Sequence, residues 1–558
     1  MNQLELQRAA DIPDEVFQDL ESKLMANIIR HCKDWGQPIA TDAWLMKKLA
    51  EIGRLNQENI RIIARSTGLA QTAIEHMLEE VAEQVISEIE PTMQQVARAG
   101  IIGEAVPVEQ SKNIKQVLKT MRKQAKSILN LCNTNMLYKA RDAYQNFVHS
   151  MASAADEIAQ KQSFIDTMDK HATSAIIGVE SRHQALRKCI KEFNEKGIPA
   201  FVDKRGREWT PEAYVNMAMR STSNTMAAEI QMARADDFGI DLVEVDSHSG
   251  ARPKCAKDQG KIFDRSNRSD KYPHWNTSSY GEPDGLLGIN CGHHIFPYME
   301  GVSIRRHFPT EDLEANNKLY KEVQVQRALE RDVRRQKREC MLLDQAGDKE
   351  GFDKSAVKLK EKETRLKEYV DQNDNLHRRR DREQVVGFDK RVSAEAVASK
   401  KRIAKQANRM YDTGSEAGNI KAYYRDKPLR DRIQSDSTKK ELEPGQYKKH
   451  VLGSHEYQQY QDKYKRQNQY GPSYLTIDEK KAQELVNKYA GTGILTRSKN
   501  GSWANEEIIT VHPQDIGVAV NNLDGKEAPT SVFKIKYGKK GTHIVPDYPS
   551  KKGAKARK

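Results

Sequence analysis

Gly197-Ile198-Pro199-Ala200-Phe201-Val202-Asp203-Lys204-Arg205-Gly206-Arg207-Glu208-Trp209-Thr210-Pro211 divides the chain into two textures. Gly197 and Pro199 end a helical pattern, and Lys204-Arg205-Gly206-Arg207 is a turn signal. Thr210 followed by Pro211 fits an N-cap and the first helical position, so a helix is expected from Pro211 to about Asp236. Everything before this stretch reads as helix. Much of the chain beyond it reads as short strands, loops and a charged rod.

Working upstream, Val16, Leu20, Leu24, Ile28 and Ile29 recur at helical spacing, as do Leu45, Leu49, Ile52 and Leu55. Ser66-Thr67-Gly68 reads as a break, and Thr72 to Ile89 resumes the pattern. Gly100, Gly103 and Pro107 mark a boundary, and a long helical stretch runs from about Lys112 to Glu195, interrupted near Ser174. Stripes of this kind normally pack as bundles. Two divisions are expected here: an N-terminal helical domain (1–110) and a long-helix segment (111–200).

Downstream, Ile240 to Val245 alternates like a strand, and residues 246–300 are rich in Gly, Pro, Asn, His and aromatics. This gives a small loop-rich α+β middle domain (201–305). Residues 306–375 read as a charged coiled helical hairpin. Leu319, Val323, Leu329 and Val333 form one stripe, Gly347 and Gly351 break the rod, and Leu359, Leu366 and Val370 form the return stripe. Residues 376–440 are basic and poor in large apolar side chains, and read as a basic linker with limited helix such as Ala394 to Met410. A compact α+β unit (441–548) and a basic tail (549–558) complete a multidomain, mainly α chain. In that unit, helices near His455–Arg466 and Asp478–Tyr489 precede strand-like runs at Ile494–Thr496, Glu507–Val511, Ile516–Val520 and Ser531–Tyr537.

Composition bounds the function. The 558 residues are 37% hydrophobic and 31% charged, with mean hydropathy −0.80. That is polar for one compact globule and fits rods and modest cores. The net charge of +13 favours phosphate-bearing partners, although basic tails on a soluble protein give the same total. Glu5, Asp11, Asp14 and Glu15 interrupt the start, which argues against a signal peptide. The sequence contains no run of eighteen apolar residues, so no membrane-spanning segment and synthesis in a cytoplasm are expected. Six scattered cysteines do not make a disulfide scaffold.

The middle domain gathers soft ligands. His248 and Cys255 are seven residues apart, and Cys291 and His293 are two apart in a loop. Two thiolates and two imidazoles are what a structural zinc site needs, so His248, Cys255, Cys291 and His293 are the metal candidates. The spacing is not that of a standard finger, and the same side chains could pack and hydrogen-bond a loop-rich domain without metal.

These residues also carry a resemblance. Trp209, Tyr214, Met217 and Arg220-Ser221-Thr222 come first, then Asp246-Ser247-His248, Arg252-Pro253, Cys255 and Gln259-Gly260-Lys261, and then Gly288-Ile289-Asn290-Cys291-Gly292-His293. Together they resemble the phage minor capsid proteins, relatives of Mu F-like and portal-associated minor head proteins. The segment Gln326-Arg327 through Glu330-Arg331 to Arg334-Arg335-Gln336-Lys337-Arg338 looks like the same family. The resemblance covers roughly residues 1–400. It implies a virion protein inside the capsid near the portal, acting in head assembly and DNA ejection, with portal, capsid or scaffold proteins and packaged DNA as partners. It implies no enzymatic activity in this region.

In the last unit, His450 comes after Tyr447-Lys448-Lys449, and His543 lies in Lys534-Ile535-Lys536-Tyr537-Gly538-Lys539-Lys540-Gly541-Thr542-His543-Ile544-Val545-Pro546. Metal-free RNA cleavage needs a base for the 2′-hydroxyl, an acid for the leaving oxygen and cations for the phosphorane. Surface histidines on a nucleic-acid-binding fold would look the same. The block Gln446 to His450 with Gly453-Ser454, Tyr474-Leu475-Thr476, Gly491 and Gly493, Trp503 and Tyr537 to Pro546 resembles the polymorphic toxin type 50 domain. That family implies a ribonuclease of the EndoU, colicin and RelE-like group, needing no cofactor. By position, it implies acid–base roles for His450 and His543 and phosphate contacts for Lys534, Tyr537, Lys540 and Thr542. Gly538 stands where the family has a small hydroxyl residue, which puts activity in doubt.

Three functions are therefore expected to compete. The first is a minor head protein that delivers a metal-independent endoribonuclease to RNA in the bacterial cytoplasm, with a cognate immunity protein. The second is a purely structural virion protein whose C-terminal module binds nucleic acid without catalysis. The third is a cellular toxin whose first 400 residues serve trafficking.

Overall fold

The computed structural model describes residues 3–36, 41–168, 174–435, 438–498, 501–511 and 515–548. Two compact units result, one holding most of residues 1–399 and the other centred on residues 400–558. Among the described residues no helix is long and apolar enough to cross a membrane. The tail 549–558 lies outside the described residues.

The first unit is helical at its centre. Helices α1 (Gln3–His31), α2 (Thr41–Ala50), α3 (Ile52–Arg98), α4 (Lys112–Met168) and α5 (Ser174–Lys196) are followed by the two-residue antiparallel strands β1 (Phe201–Val202) and β2 (Glu208–Trp209). The β1–β2 turn is the Lys204–Arg207 turn, gripped by Asp203, whose carboxylate accepts the N–H groups of Arg205 and Arg207. Helix α6 (Pro211–Asp237) starts with Thr210 accepting the Ala213 N–H and with proline in the first turn. The apolar stripes on α1, α3 and α6 meet in one core with Leu24, Ile28, Val81, Val85 and Met226 buried.

Ser66-Thr67-Gly68 does not break α3, which runs straight through it. The Thr67 hydroxyl donates to the Ile63 carbonyl and accepts from Asn133, so the polar side chains are satisfied inside the helix. The interruption expected near Ser174 adjoins residues 169–173, which lie outside the described residues.

A small antiparallel sheet comes next in the order β4-β3-β5, from β3 (Leu242–Val245), β4 (Ile262–Asp264) and β5 (Ile295–Tyr298). Helix α7 (Pro253–Ala256) sits in the loops between them. Helices α8 (Leu313–Ala346) and α9 (Lys349–Asp371) form the charged hairpin and bury Leu329, Val333, Leu359 and Leu366. Gly347 closes α8 in a left-handed conformation (φ 73°). Gly351 does not break the rod. It lies in the first turn of α9, where its N–H is capped by Asp348 and a Cβ would stand 2.6 Å from that carboxylate. Helices α1 to α6, α8 and α9 share one hydrophobic cluster, so no core boundary falls at 110 or 200, while Val243, Val245, Phe263, Leu286, Leu287 and Ile295 form a small cluster of their own with Ala228.

The stretch 376–440 carries two helices, α10 (Lys390–Met410) and α11 (Glu416–Gln434). The expected linker is corrected there. Both helices have inward faces built from small or sparse apolar residues: Val392, Ala396, Ile403, Ala404 and Ala407 on α10, and Ile420, Ala422 and Ile433 on α11. That pattern lacks the leucines and phenylalanines that make an amphipathic helix easy to read.

The second unit continues with α12 (Pro444–Lys448), α13 (His455–Arg466), β6 (Tyr474–Leu475), α14 (Glu479–Tyr489), β7 (Ile494–Arg497) and β8 (Trp503–Thr510). It ends with β9 (Gly517–Val520), β10 (Glu527–Thr530), β11 (Val532–Tyr537) and β12 (Thr542–Asp547). They form two antiparallel sheets ordered β12-β11-β8-β7 and β10-β9-β6. Phe533, Ile535, Ile544, Leu485, Val486 and Ile433 fill the core.

The turn at residue 197 is fixed from a distance. Glu21, 1% exposed, accepts the Ile198 N–H at 3.0 Å and pairs with Arg338 at 2.6 Å. Gly197 is required because a Cβ there would stand 2.3 Å from the Glu21 carboxylate. Arg338 also donates to Asn194, whose amide reaches the Arg335 carbonyl. Removing one partner of a buried pair leaves an uncompensated charge, so Arg338→Met should destabilise the first unit by about 3–5 kcal/mol. Urea unfolding followed by hydrogen exchange in α1 and α8 checks this, and unchanged protection there would refute it.

Candidate functional site

Strand alternation decides which C-terminal side chains can act together. Residues directly opposite in an antiparallel pair share a face, and neighbours along a strand do not. Lys536 lies opposite His543 on β12 and opposite Glu506 on β8. Lys534, two residues away, shares that face. Tyr537 lies opposite Thr542, and Ile535 lies opposite Ile544 and Glu507, all on the other face.

Chain reversal after α12 brings His450 to the His543 face. The two imidazoles stack with centroids 6.0 Å apart and an interplanar angle of 12°. His450 is 4% exposed, and its Nδ1 lies 2.7 Å from the Ser473 carbonyl oxygen. A carbonyl only accepts, so Nδ1 carries the hydrogen and the Nε2 lone pair remains for chemistry. Tyr460 packs edge-on against His450, and the Lys449 ammonium lies over the Tyr460 ring. Burial, with Lys536 and Lys449 nearby, pushes the His450 pKa down to about 4. Burial, then His450 and Lys536, lowers that of His543 to about 3. Both rings are neutral at pH 7.

The cations on this face are partly spent. Lys534 lies 3.4 Å from both Glu506 and Asp547, and Lys536 lies 3.4 Å from Glu506. Lys540 is exposed in the β11–β12 turn. The structure does not bring Tyr537 and Thr542 to the histidines. Tyr537 donates its hydroxyl to Glu507, which is fully buried and also accepts the Gly491 and Gly493 N–H groups. Thr542 is fully buried, with its hydroxyl donated to the Lys440 carbonyl at 3.0 Å. Both residues are part of the scaffold under the site. Lys536, Glu506 and Lys449 are additions that sequence reasoning missed. The period-2 repeat from Lys534 would have found Lys536.

In the first unit the structure gathers three of the four expected metal-ligating side chains, with the ring of the fourth, His248, against one of them. Cys255, Cys291 and His293 place ligand atoms within 4.8 Å of one another. The two sulfurs are 4.0 Å apart, and the Cys291 sulfur lies 3.3 Å from His293 Nδ1. The His248 ring stands 4.4 Å from that of His293. The Cys255 thiol and His293 hold the Cys291 thiol well below the usual thiol range.

Comparison with known proteins gives the context of both sites. The family described as "Phage minor capsid protein 2" matches residues 2–371. The chain belongs to that family. The description "Bacterial toxin 50" matches residues 442–546, so this minor capsid protein carries a C-terminal toxin domain. A "Structural protein" of Lactococcus phage LL-H is 24% identical over 387 residues, covering 66% of this chain and 98% of that protein. A "Structural protein" of Lactococcus phage mv4 is 34% identical over 120 residues, covering 21% of this chain and 95% of that protein. No solved structure matches. The minor capsid protein is therefore a virion component.

The buried neutral histidine makes toxin-domain stability depend on pH. The folded pKa of His450 lies below its unfolded value near 6.5, so the unfolded chain takes up the proton first. Stability is complete above pH 6.5 and is lost as pH falls from there towards 4, by roughly 1.4 kcal/mol per unit from His450. His450→Gln, which can still donate to Ser473, should make denaturant titrations at pH 7, 6 and 5 less steep in pH by that amount, leaving the share due to His543. An unaltered slope would show that another group sets it.

Proposed function

We propose that this minor capsid protein sits inside the capsid near the portal, acts in head assembly and DNA ejection, and carries a metal-independent endoribonuclease into the host cytoplasm. Family membership and the net charge of +13 support the virion part. So does a cleft of about 640 Å³ in the first unit whose lining includes Arg220, Arg327, Arg331, Arg335 and Arg382. Portal, capsid and scaffold proteins, packaged DNA, RNA and an immunity protein are the partners proposed with it.

The observation that carries the nuclease reading is the stacked pair His450 and His543 on a face that also holds Lys534 and Lys536. His450 Nε2 takes the proton from a ribose 2′-hydroxyl. The 2′-oxygen forms a bond to phosphorus, and the bond from phosphorus to the 5′-oxygen breaks, leaving a 2′,3′-cyclic phosphate. Lys534, Lys536 and exposed Lys540 stabilise the charge that builds on the phosphorane. The leaving 5′-oxygen needs a proton. A bound phosphate adds negative charge beside His543, which raises the proton affinity of that ring, so His543 is charged in the complex and donates that proton. The 2′-hydroxyl requirement restricts cleavage to RNA.

A second reading, nucleic-acid binding without cleavage, is favoured by the depth of His450. The full chain incubated with RNA in EDTA separates the two. Cleavage is expected, with 2′,3′-cyclic phosphate ends, and DNA should resist. His450→Ala and His543→Ala, checked for folding by circular dichroism, should each slow cleavage by at least ~100-fold. RNA that is bound but uncut by the folded chain would establish the second reading. Truncation after Met410 should leave head assembly intact, and failed assembly would give the toxin domain a structural role.

A further inference from the structure

The segment from Asp246 to His294 has little to hold it together. Between β3 and β5 it contains the three-residue β4, the four-residue α7 and a three-residue 3-10 turn at Trp275–Thr277, with the rest in turns and loops. Its hydrophobic cluster comprises Val243, Val245, Phe263, Leu286, Leu287 and Ile295, with Ala228 from α6. A core of that size leaves so long an irregular segment dependent on polar anchors such as Asp264, and a metal ion would add one where the loops meet. The strand ends and loops nevertheless converge. His248 comes just after β3, Cys255 sits on α7, and Cys291 and His293 precede β5.

We propose that Cys255, Cys291, His293 and His248 bind one zinc ion that pins these loops to the small sheet. A tetrahedral ion with Zn–S of about 2.3 Å and Zn–N of about 2.0 Å sets sulfur pairs about 3.8 Å apart and sulfur–nitrogen pairs about 3.5 Å apart. The observed separations are 4.0 Å between sulfurs and 3.3 Å from Cys291 to His293. A disulfide needs its sulfurs about 2.05 Å apart, so the pair is placed for an ion rather than a bond. His248 Nδ1 lies 3.2 Å from the Ser249 carbonyl oxygen, which leaves the lone pair on Nε2. That Nε2 is buried with no hydrogen-bond partner among the described residues. His293 is 1% exposed, and its Nδ1, facing the Cys291 sulfur, is its ligand atom. Buried polar atoms are normally satisfied, and the orphaned Nε2 of His248 beside the two thiols and His293 is accounted for by a metal ion. Two thiolates and two neutral imidazoles leave a zinc site without net charge, which suits its burial.

His294 is not a fifth ligand. Its Nδ1 lies 2.9 Å from Asp246, which also accepts the His294 N–H, so this residue fixes the loop from behind. A carboxylate bonded in this way behind a metal site orients the ligands beside it.

The test uses the full chain purified under reducing conditions with added zinc and then desalted. Elemental analysis should find about one zinc per chain. Cobalt exchanged into the site should show thiolate charge-transfer bands and the intense visible bands of tetrahedral coordination. Cys255→Ser and Cys291→Ser should lose the metal. His293→Cys, which keeps a tetrahedral donor set, should retain it. Chelation should expose residues 246–294 to protease while leaving RNA cleavage in EDTA unchanged, which separates this site from the nuclease. A folded wild-type chain with reactive thiols, no stoichiometric zinc and no cobalt–thiolate bands would overturn the proposal. So would a Cys255–Cys291 disulfide found by peptide mapping.

Discussion

Carboxylates that collect backbone N–H groups hold the irregular parts of this chain in place. Glu21 takes the Ile198 N–H beside Gly197, Asp203 takes two in the β1–β2 turn, and Asp264 takes those of Ser266, Arg268 and Ser269. Glu244 receives Arg306 and His307, and Glu507 receives Gly491 and Gly493. Backbone donors withdrawn from water need a partner, and loops have no ladder to supply one. A chain with 31% charged residues meets that need with side chains. Charge-assisted bonds are stronger than neutral ones, so a few buried acids fix long stretches that lack apolar weight.

Glu507 shows how such an anchor shapes a site without joining it. It holds the β7 turn and the Tyr537 hydroxyl on the core face of the sheet. With Tyr537 tied inward, strand alternation turns Lys536 and His543 outward together. The face that results holds two neutral rings and ammonium groups already balanced by Glu506 and Asp547. An anion entering there changes the proton affinity of the rings as well as its own position, and recognition and acid–base chemistry become one event.

Much of the architecture was legible. The turn at 197–207, the Thr210–Pro211 helix start and the Ile240–Val245 strand all rest on local chemistry that needs no tertiary information. The convergence of Cys255, Cys291 and His293 was legible from residue type alone. Side-chain direction in the last domain was not. Four residues, Gly538 to Gly541, connect β11 to β12, and the sequence does not say which residue faces which across them. Tyr537 and Thr542 therefore read as equals of His543, although they belong to the opposite face. Helix α10 was expected over Ala394 to Met410 and starts four residues earlier, but its packing, and helix α11 altogether, were missed for another reason. Their buried sides use alanine, and α11 adds the fully buried Asp426, bonded by Arg425, Arg497 and Tyr411, which the sequence presents as an ordinary surface acid.

The docking of α11 bears on how such a protein acquires its cargo. The toxin match begins at residue 442, yet Ile433 and Leu429 pack into the domain core, and Asp426 pairs with Arg497 on β7. A recombination event that joined a new cassette at residue 442 would graft it onto a foreign α11 and leave the places of Ile433 and Leu429 in the core unmatched. Exchange that preserves folding must carry α11 along. The heritable unit is therefore longer than the matched one, and cargo variants of this head protein should differ upstream of where their toxins first become recognisable.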